Sequence, residues 1–177
     1  MCSQVGDVKG ELLDAELVKK KPKVVVELGG YCGYSALRIA RKLAANGNDG
    51  HLYSVEMSPL HAAIATKILE FAGQRSRVTV LVGTASTTLE KKLKPLGCID
   101  LLFLDHAKDY YKSDFQLLEN AGLIKPGSVV VADNCLYPGC PEYVAYIKDN
   151  KDYDSVKHET QLEYCDKPDH VWVSVRK

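Results

Sequence analysis

The chain has 177 residues, 46% of them apolar and 26% charged, the composition of a globular protein long enough to bury a sizeable core in one domain, 1–177. Its 23 basic and 23 acidic residues cancel, which leaves no electrostatic footprint for nucleic acid or for an anionic membrane surface. The cysteines at 2, 32, 98, 135, 140 and 165 form no Cys-x-x-Cys pair, so neither a zinc ribbon nor a thioredoxin-like motif is supported. Reduced thiols in a cytoplasmic protein, a monomer or weak dimer, are the expectation. No apolar run approaches the ~20 residues of a membrane span.

Apolar periodicity predicts a helix over 8–20, with Leu12, Leu13, Leu17 and Val18 on one face. A buried strand over 24–28 runs into the glycine-rich turn Gly29-Gly30-Tyr31-Cys32-Gly33. A helix over 34–45 follows, with Leu37, Ala40, Arg41 and Ala44 at helical spacing. A second strand, 51–56, ends in Glu56; Ser58 and Pro59 then read as N-cap and N1 of a helix reaching Gly73. Residues 77–82 form a third strand closed by Gly83, and 87–94 a short helix. The almost wholly apolar stretch 99–104 is a strand covered on both faces. A helix over 111–121, a strand over 128–132 and a helix over 141–149 complete the alternation. The tail alternates in period two over 153–159 and 170–176, an antiparallel hairpin at the sheet edge. Repeated strand–helix units imply a doubly wound, mostly parallel α/β sheet.

In such a sheet, ligands bind at the carboxyl ends of the strands. The polar and glycine residues after these strands, Glu27, Gly29, Glu56, Gly83, Asp105, Asp133 and Asn134, all fall on that edge. The glycine-rich turn suits a nucleotide-type pocket, and an acid at Glu56 suits a ribose diol, because a carboxylate accepts from both hydroxyls. Asp105, Asp133 and Asn134 offer three oxygens from neighbouring strand ends, a set suited to Mg²⁺ with room for water and substrate. Aspartates in such places also cap loops and helices. Lys108, three residues past Asp105, acts as a general base once divalent charge and partial burial lower its pKa from about 10.4. His106 reads as a base, a metal ligand or a cofactor contact; oxygen ligands suit a hard cation, which places it beside the cofactor. Glu163 alone is an ordinary loop carboxylate.

The stretches Val5-Gly6-Asp7-x-Lys9-Gly10, Glu27-Leu28-Gly29-x-Tyr31-Cys32-Gly33-Tyr34-Ser35, Phe71-Ala72-Gly73, Phe103-Leu104-Asp105-His106-x-Lys108-Asp109, Ala132-Asp133-Asn134, Pro138-Gly139 and Leu162-Glu163-Tyr164 occur in one order over nearly the whole chain. In them the sequence resembles the catechol O-methyltransferases, of the class I S-adenosylmethionine-dependent methyltransferases. The resemblance implies a Rossmann-like methyltransferase sheet and Mg²⁺-dependent methyl transfer to a catechol, a small-molecule acceptor. Asp105, Asp133 and Asn134 would hold the metal, Lys108 would take the hydroxyl proton, and Glu163 would bind the second hydroxyl. S-adenosylmethionine would lie over the glycine-rich turn, with Glu27, Gly29, Gly83 and Asp105 among the residues that bind it. Glu56 would meet its ribose and Met57 its adenine, with Val5, Tyr31 and Ser35 at its methionine part. His106 would sit by the ribose and adenine, Ser86 at the adenine edge, and Pro138 on the wall beside the catechol ring, near Lys108 and Asn134.

Three departures from the family bear on the site. Ala107 stands where the family has Trp, which removes an apolar wall and predicts weaker binding or a wider acceptor pocket. The two helices that precede the Val5 segment in the family, and cover the cofactor there, are expected to be absent. The segment from Gly83 to Asp105 is about two residues short of the family's, which bears on Ser86. Other vicinal-diol phenols of the caffeoyl type, or a non-catalytic S-adenosylmethionine-binding module, are the alternative readings.

Overall fold

The structure, a computed structural model, describes residues 5–163 and 165–177; Cys2 and Tyr164 lie outside them. Seven strands form one sheet in the order β3-β2-β1-β4-β5-β7-β6. Strands β1 (Val24–Leu28), β2 (His51–Glu56), β3 (Val78–Val82), β4 (Leu101–Leu104) and β5 (Val129–Ala132) are parallel. Strand β7 (Pro168–Arg176) pairs antiparallel with both β5 and β6 (Tyr153–Gln161). The expected α/β sheet with its C-terminal hairpin is therefore present, with β6 at the edge.

Helices α1 (Gly6–Lys20), α2 (Tyr34–Ala45), α3 (Pro59–Phe71), α4 (Ala85–Thr88), α5 (Tyr111–Asn120) and α6 (Pro141–Lys148) connect and cover the strands. Two apolar clusters form the core. One gathers Leu13, Leu17, Ile39 and Leu43 from α1 and α2 with Leu101, Phe103, Val129 and Val131 of the sheet. The other gathers Leu102, Leu104, Val130 and Ala132 with Tyr111, Phe115, Tyr143 and Ile147 from α5 and α6. Strand alternation sends successive side chains to these two opposite faces.

Several local expectations shift by a residue or two. On α1 the buried stripe is Gly6, Lys9, Gly10, Leu13 and Leu17, and Val18 is exposed. On α2 it is Ser35, Ala36, Ile39, Ala40 and Leu43, one position back from the expected face, and Arg41 is exposed. Ser58 caps α3 as expected, accepting from the His61 backbone N–H at 3.3 Å. The helix expected at 87–94 begins earlier, because Thr84 and Thr87 form a reciprocal capping box. It then widens into irregular turns over Leu89–Leu93 and Lys94–Leu96. The five cysteines described, Cys32, Cys98, Cys135, Cys140 and Cys165, are free thiols. Among the described residues, no helix is long and apolar enough to cross a membrane.

Candidate active site

A cavity of about 610 Å³ opens at the carboxyl ends of β1, β2 and β4. That is within the usual range for a small-molecule site. Of the residues singled out in the sequence, Val5, Gly29, Tyr31, Ser35, Glu56, Met57, Gly83, Ser86, Asp105, His106, Lys108 and Pro138 line it, together with Ala107. Its floor is the glycine turn. Gly29 has φ +98°, and a Cβ there would collide with the Asp105 carbonyl where β1 and β4 run closest. Gly33, with φ +89°, opens α2 at a point where a Cβ would press on Ala65. Glycine lets the turn pack against the backbone after β4 and against α3 at these two points.

Glu56 is held in place before any ligand arrives. Its Oε2 accepts the Tyr31 N–H at 2.7 Å and its Oε1 the Ser58 N–H at 2.7 Å. A carboxylate has about four acceptor positions, so acceptor capacity remains towards the cavity. Glu27 does not line the cavity. It is buried beneath the glycine turn, and Ser54 Oγ donates to its Oε2 at 2.5 Å, while Oε1 has no hydrogen-bond partner. Burial pushes its carboxyl up to about 7, against the pull of the Ser35 and Ser54 hydroxyls and with a smaller push from Glu56. Met57 is exposed at the cavity lip, and Ser86, in the first turn of α4, lies 2.9 Å from Thr84 Oγ1. The His106 ring stacks on Tyr111 with centroids 4.9 Å apart, and its Nε2 lies 3.0 Å from Asp114 Oδ2. Asp114, which the sequence did not single out, also lines the cavity.

Lys108 is not a solvated surface lysine. Its Nζ lies 2.9 Å from Asp105 Oδ1 and donates to the Tyr111 hydroxyl at 2.6 Å. That hydroxyl is in reach of the Leu104 and Asp133 carbonyls, at 2.7 and 3.0 Å, which ties the lysine to the ends of β4 and β5. Behind it, Asp133 and Asn134 are fully buried. Asp133 Oδ1 accepts the Asn134 N–H at 2.6 Å and faces Lys9 Nζ at 2.8 Å, and its Oδ2 has no hydrogen-bond partner.

Lys9 and Asp169 also belong to the site, with no role expected for either from the sequence. Lys9 reaches from α1 into the site, and its Nζ lies 2.8 Å from Asp133, 3.1 Å from Asp169 and 3.4 Å from Glu163. Burial alone would lower the lysine's pKa; the three carboxylates, Asp133 foremost, outweigh it and raise it. Burial raises Asp105, Asp133 and Glu163 against the pull of the lysines. Around Lys9 and Lys108 stand four acidic side chains, Asp105, Asp133, Glu163 and Asp169, two more acids than bases. Glu163 does not share the first cavity with Lys108. It lines a second space of about 980 Å³, between α1 and the hairpin, with Asp169, Glu159 and Asp166. The period-two pattern of β7 carried a signal for Asp169, since it falls on the same side as buried Val171 and Val173.

Residues 2–163 match the O-methyltransferase family. The chain belongs to that family. It is 40% identical over 162 residues to a catechol O-methyltransferase of Mus musculus, covering 90% of this chain and 60% of the mouse protein. A catechol O-methyltransferase of Sus scrofa is 38% identical over 175 residues, covering 98% of this chain and 92% of the pig protein. The chain thus spans about three-fifths of the length of the mouse relative. A crystal structure of an O-methyltransferase from Bacillus cereus in complex with SAH superposes with a TM-score of 0.84 at 21% identity. It covers 100% of this chain and 84% of that one, so the family's fold is present throughout.

Proposed function

We propose that the chain is one methyltransferase domain that transfers the methyl group of S-adenosylmethionine to one hydroxyl of a catechol, with Mg²⁺ held by Asp105, Asp133 and Asn134. The observation that carries this is the fully buried Asp133 carboxylate, with one oxygen tied to Lys9 and Asn134 and the other without a partner, beside Asp105. Two carboxylates and an amide are the donors here; among the described residues, no group of three or more His, Cys, Asp or Glu side chains is placed to hold a metal. Oxygen donors suit a hard cation, and a divalent charge there would favour the ionised form of Asp105 and Asp133 against the cost of their burial. When bound, the cation supplies Lewis-acid stabilisation of a phenolate and a template for two adjacent oxygens.

The chain's own groups do the rest. Lys108 Nζ takes the proton of the hydroxyl to be methylated, and the Tyr111 hydroxyl and Asp105 hold it there. Pro138 walls the ring, and Glu163, which faces the second space and Lys9 in the structure, would accept from the second hydroxyl once its carboxylate turns towards the first cavity. Glu56 accepts from the cofactor's ribose, with Met57 and Ser86 at the adenine and His106 between the two. Val5, Tyr31 and Ser35 face the methionine part, and Glu27, Gly29 and Gly83 shape the floor. Ala107 leaves space beside both ligands, and a wider acceptor fits there. Holding both reactants in one geometry removes much of the entropic barrier.

Methyl transfer from labelled S-adenosylmethionine to catechol and to phenol, in Mg²⁺, tests the reading. Catechol turned over at least about 100-fold faster than phenol is the expected result, the lower end of what a positioned acid–base and orienting pair contributes. Equal rates overturn the two-oxygen acceptor; no turnover of either by protein that binds S-adenosylhomocysteine overturns the catalytic reading.

A further inference from the structure

We infer that Asp169 is a positioning residue for the acceptor side: it decides which way the Asn134 amide faces and holds the turn that carries Pro138. The inference rests on the reading of Asp133 and Asn134 as metal ligands. Asp169 sits near the start of β7, far in sequence from every residue it organises, and is fully buried. Its Oδ2 accepts from Asn134 Nδ2 at 3.0 Å and faces Lys9 Nζ at 3.1 Å. Its Oδ1 accepts the backbone N–H groups of Leu136 and Tyr137, both at 3.1 Å. One carboxylate therefore serves four donors from α1, from the end of β5 and from the turn after it.

An ionised carboxylate only accepts. The two branches of an asparagine amide differ in kind: the nitrogen donates, and only the oxygen ligates a hard cation. With Asp169 as neighbour, the Asn134 nitrogen must turn to β7, and the oxygen is kept for the other side. Asn134 also adopts a left-handed backbone, φ 56°, with its N–H on Asp133 Oδ1. Its backbone is thus set by one carboxylate and its side chain by another. The Leu136 and Tyr137 N–H groups extend the same control to Pro138 on the cavity wall.

An Asp169→Asn variant separates this role from packing. The new amide keeps its oxygen for Leu136 and Tyr137, so its nitrogen must stand where Oδ2 stood, against the Asn134 nitrogen and the Lys9 ammonium. Two donors then face each other, and the Asn134 amide rotates. Mg²⁺ binding, measured by calorimetry on the whole chain, should weaken by about 10- to 100-fold, the usual cost of losing a partner that orients a ligand. S-adenosylhomocysteine binding in the first cavity should stay within about twofold, because none of its lining residues depends on Asp169 except through the turn at Pro138. The exchange Asp169→Asn with Asn134→Asp restores a donor facing an acceptor between these two side chains, leaves the Lys9 ammonium opposite the new amide nitrogen, and should recover part of the lost Mg²⁺ affinity. It also serves if the single variant does not fold.

Unchanged Mg²⁺ affinity in Asp169→Asn overturns the inference and leaves the metal site standing. So does an exchange variant that binds S-adenosylhomocysteine but not Mg²⁺. A wild-type chain that binds S-adenosylhomocysteine and no Mg²⁺ overturns the metal reading itself, and the inference with it.

Discussion

The cofactor side of the sheet edge and the acceptor side are held by different kinds of contact. Beneath the first cavity, backbone does most of the shaping: Gly29 and Gly30 donate to Val55, Gly33 donates to Gly30, and Glu56 is fixed by two N–H groups. On the acceptor side the contacts run between charged side chains from distant parts of the chain. Lys9 and Asp169 are 160 positions apart, and Asn134 and Asp169 are 35 apart. The glycine turn is held by backbone groups of the neighbouring strand ends, Val55 and Asp105, and by Glu56, 25 positions from Tyr31. The charged cluster works only when α1, the ends of β4 and β5, and β7 are all assembled. The first is held mainly through backbone between neighbouring strand ends; the second draws on side chains from the whole topology.

The largest expected effect lies on the acceptor side. Lys108→Ala should lower kcat by about 100- to 10,000-fold, the span typical of a lost general base. S-adenosylhomocysteine affinity should hold within about twofold if the two sides act independently. Turnover and calorimetry on the same preparation check this. A joint loss of both would erase the distinction between the sides, and full activity would remove Lys108 from the chemistry.

A smaller effect lies on the cofactor side and shows in stability. Glu27 has its carboxyl raised from 4.5 to about 7 by burial. Between those values the unfolded chain has given up the proton that the folded chain still holds, so stability falls as pH rises through this window. Glu27→Gln carries no such proton. Its stability relative to wild type should grow from pH 5 to pH 8, by up to ~3 kcal/mol for a shift of this size. Urea denaturation across that range is the measurement; parallel profiles would show that the Glu27 carboxyl is not buried as described.

The same contrast explains what the sequence made legible. The order of strands and helices, the glycine turn, Glu56 and the Asp105–Lys108 segment were readable because each signal is local: a period, a breaker or a short motif. Asp105 and Asp133 were readable as a pair because both follow apolar strands at one edge. Lys9 was passed over because a lysine on an amphipathic helix normally stays in water; the buried stripe of Gly6, Lys9, Leu13 and Leu17 was the clue. Asp169 was hidden in a hairpin whose place next to β5 follows only from the assembled sheet. Glu163 was legible by its motif alone, and its ion pair with Lys9 and its separate cavity depended on that same hairpin.

The most direct test of a metal-dependent acceptor side beside a metal-independent cofactor side is one titration series. S-adenosylhomocysteine binding and methyl transfer to catechol would be measured on the same protein, first in Mg²⁺ and then in excess chelator. Chelation should abolish turnover and leave S-adenosylhomocysteine binding within about twofold of its value in Mg²⁺. Turnover that survives chelation would contradict a metal-dependent acceptor side.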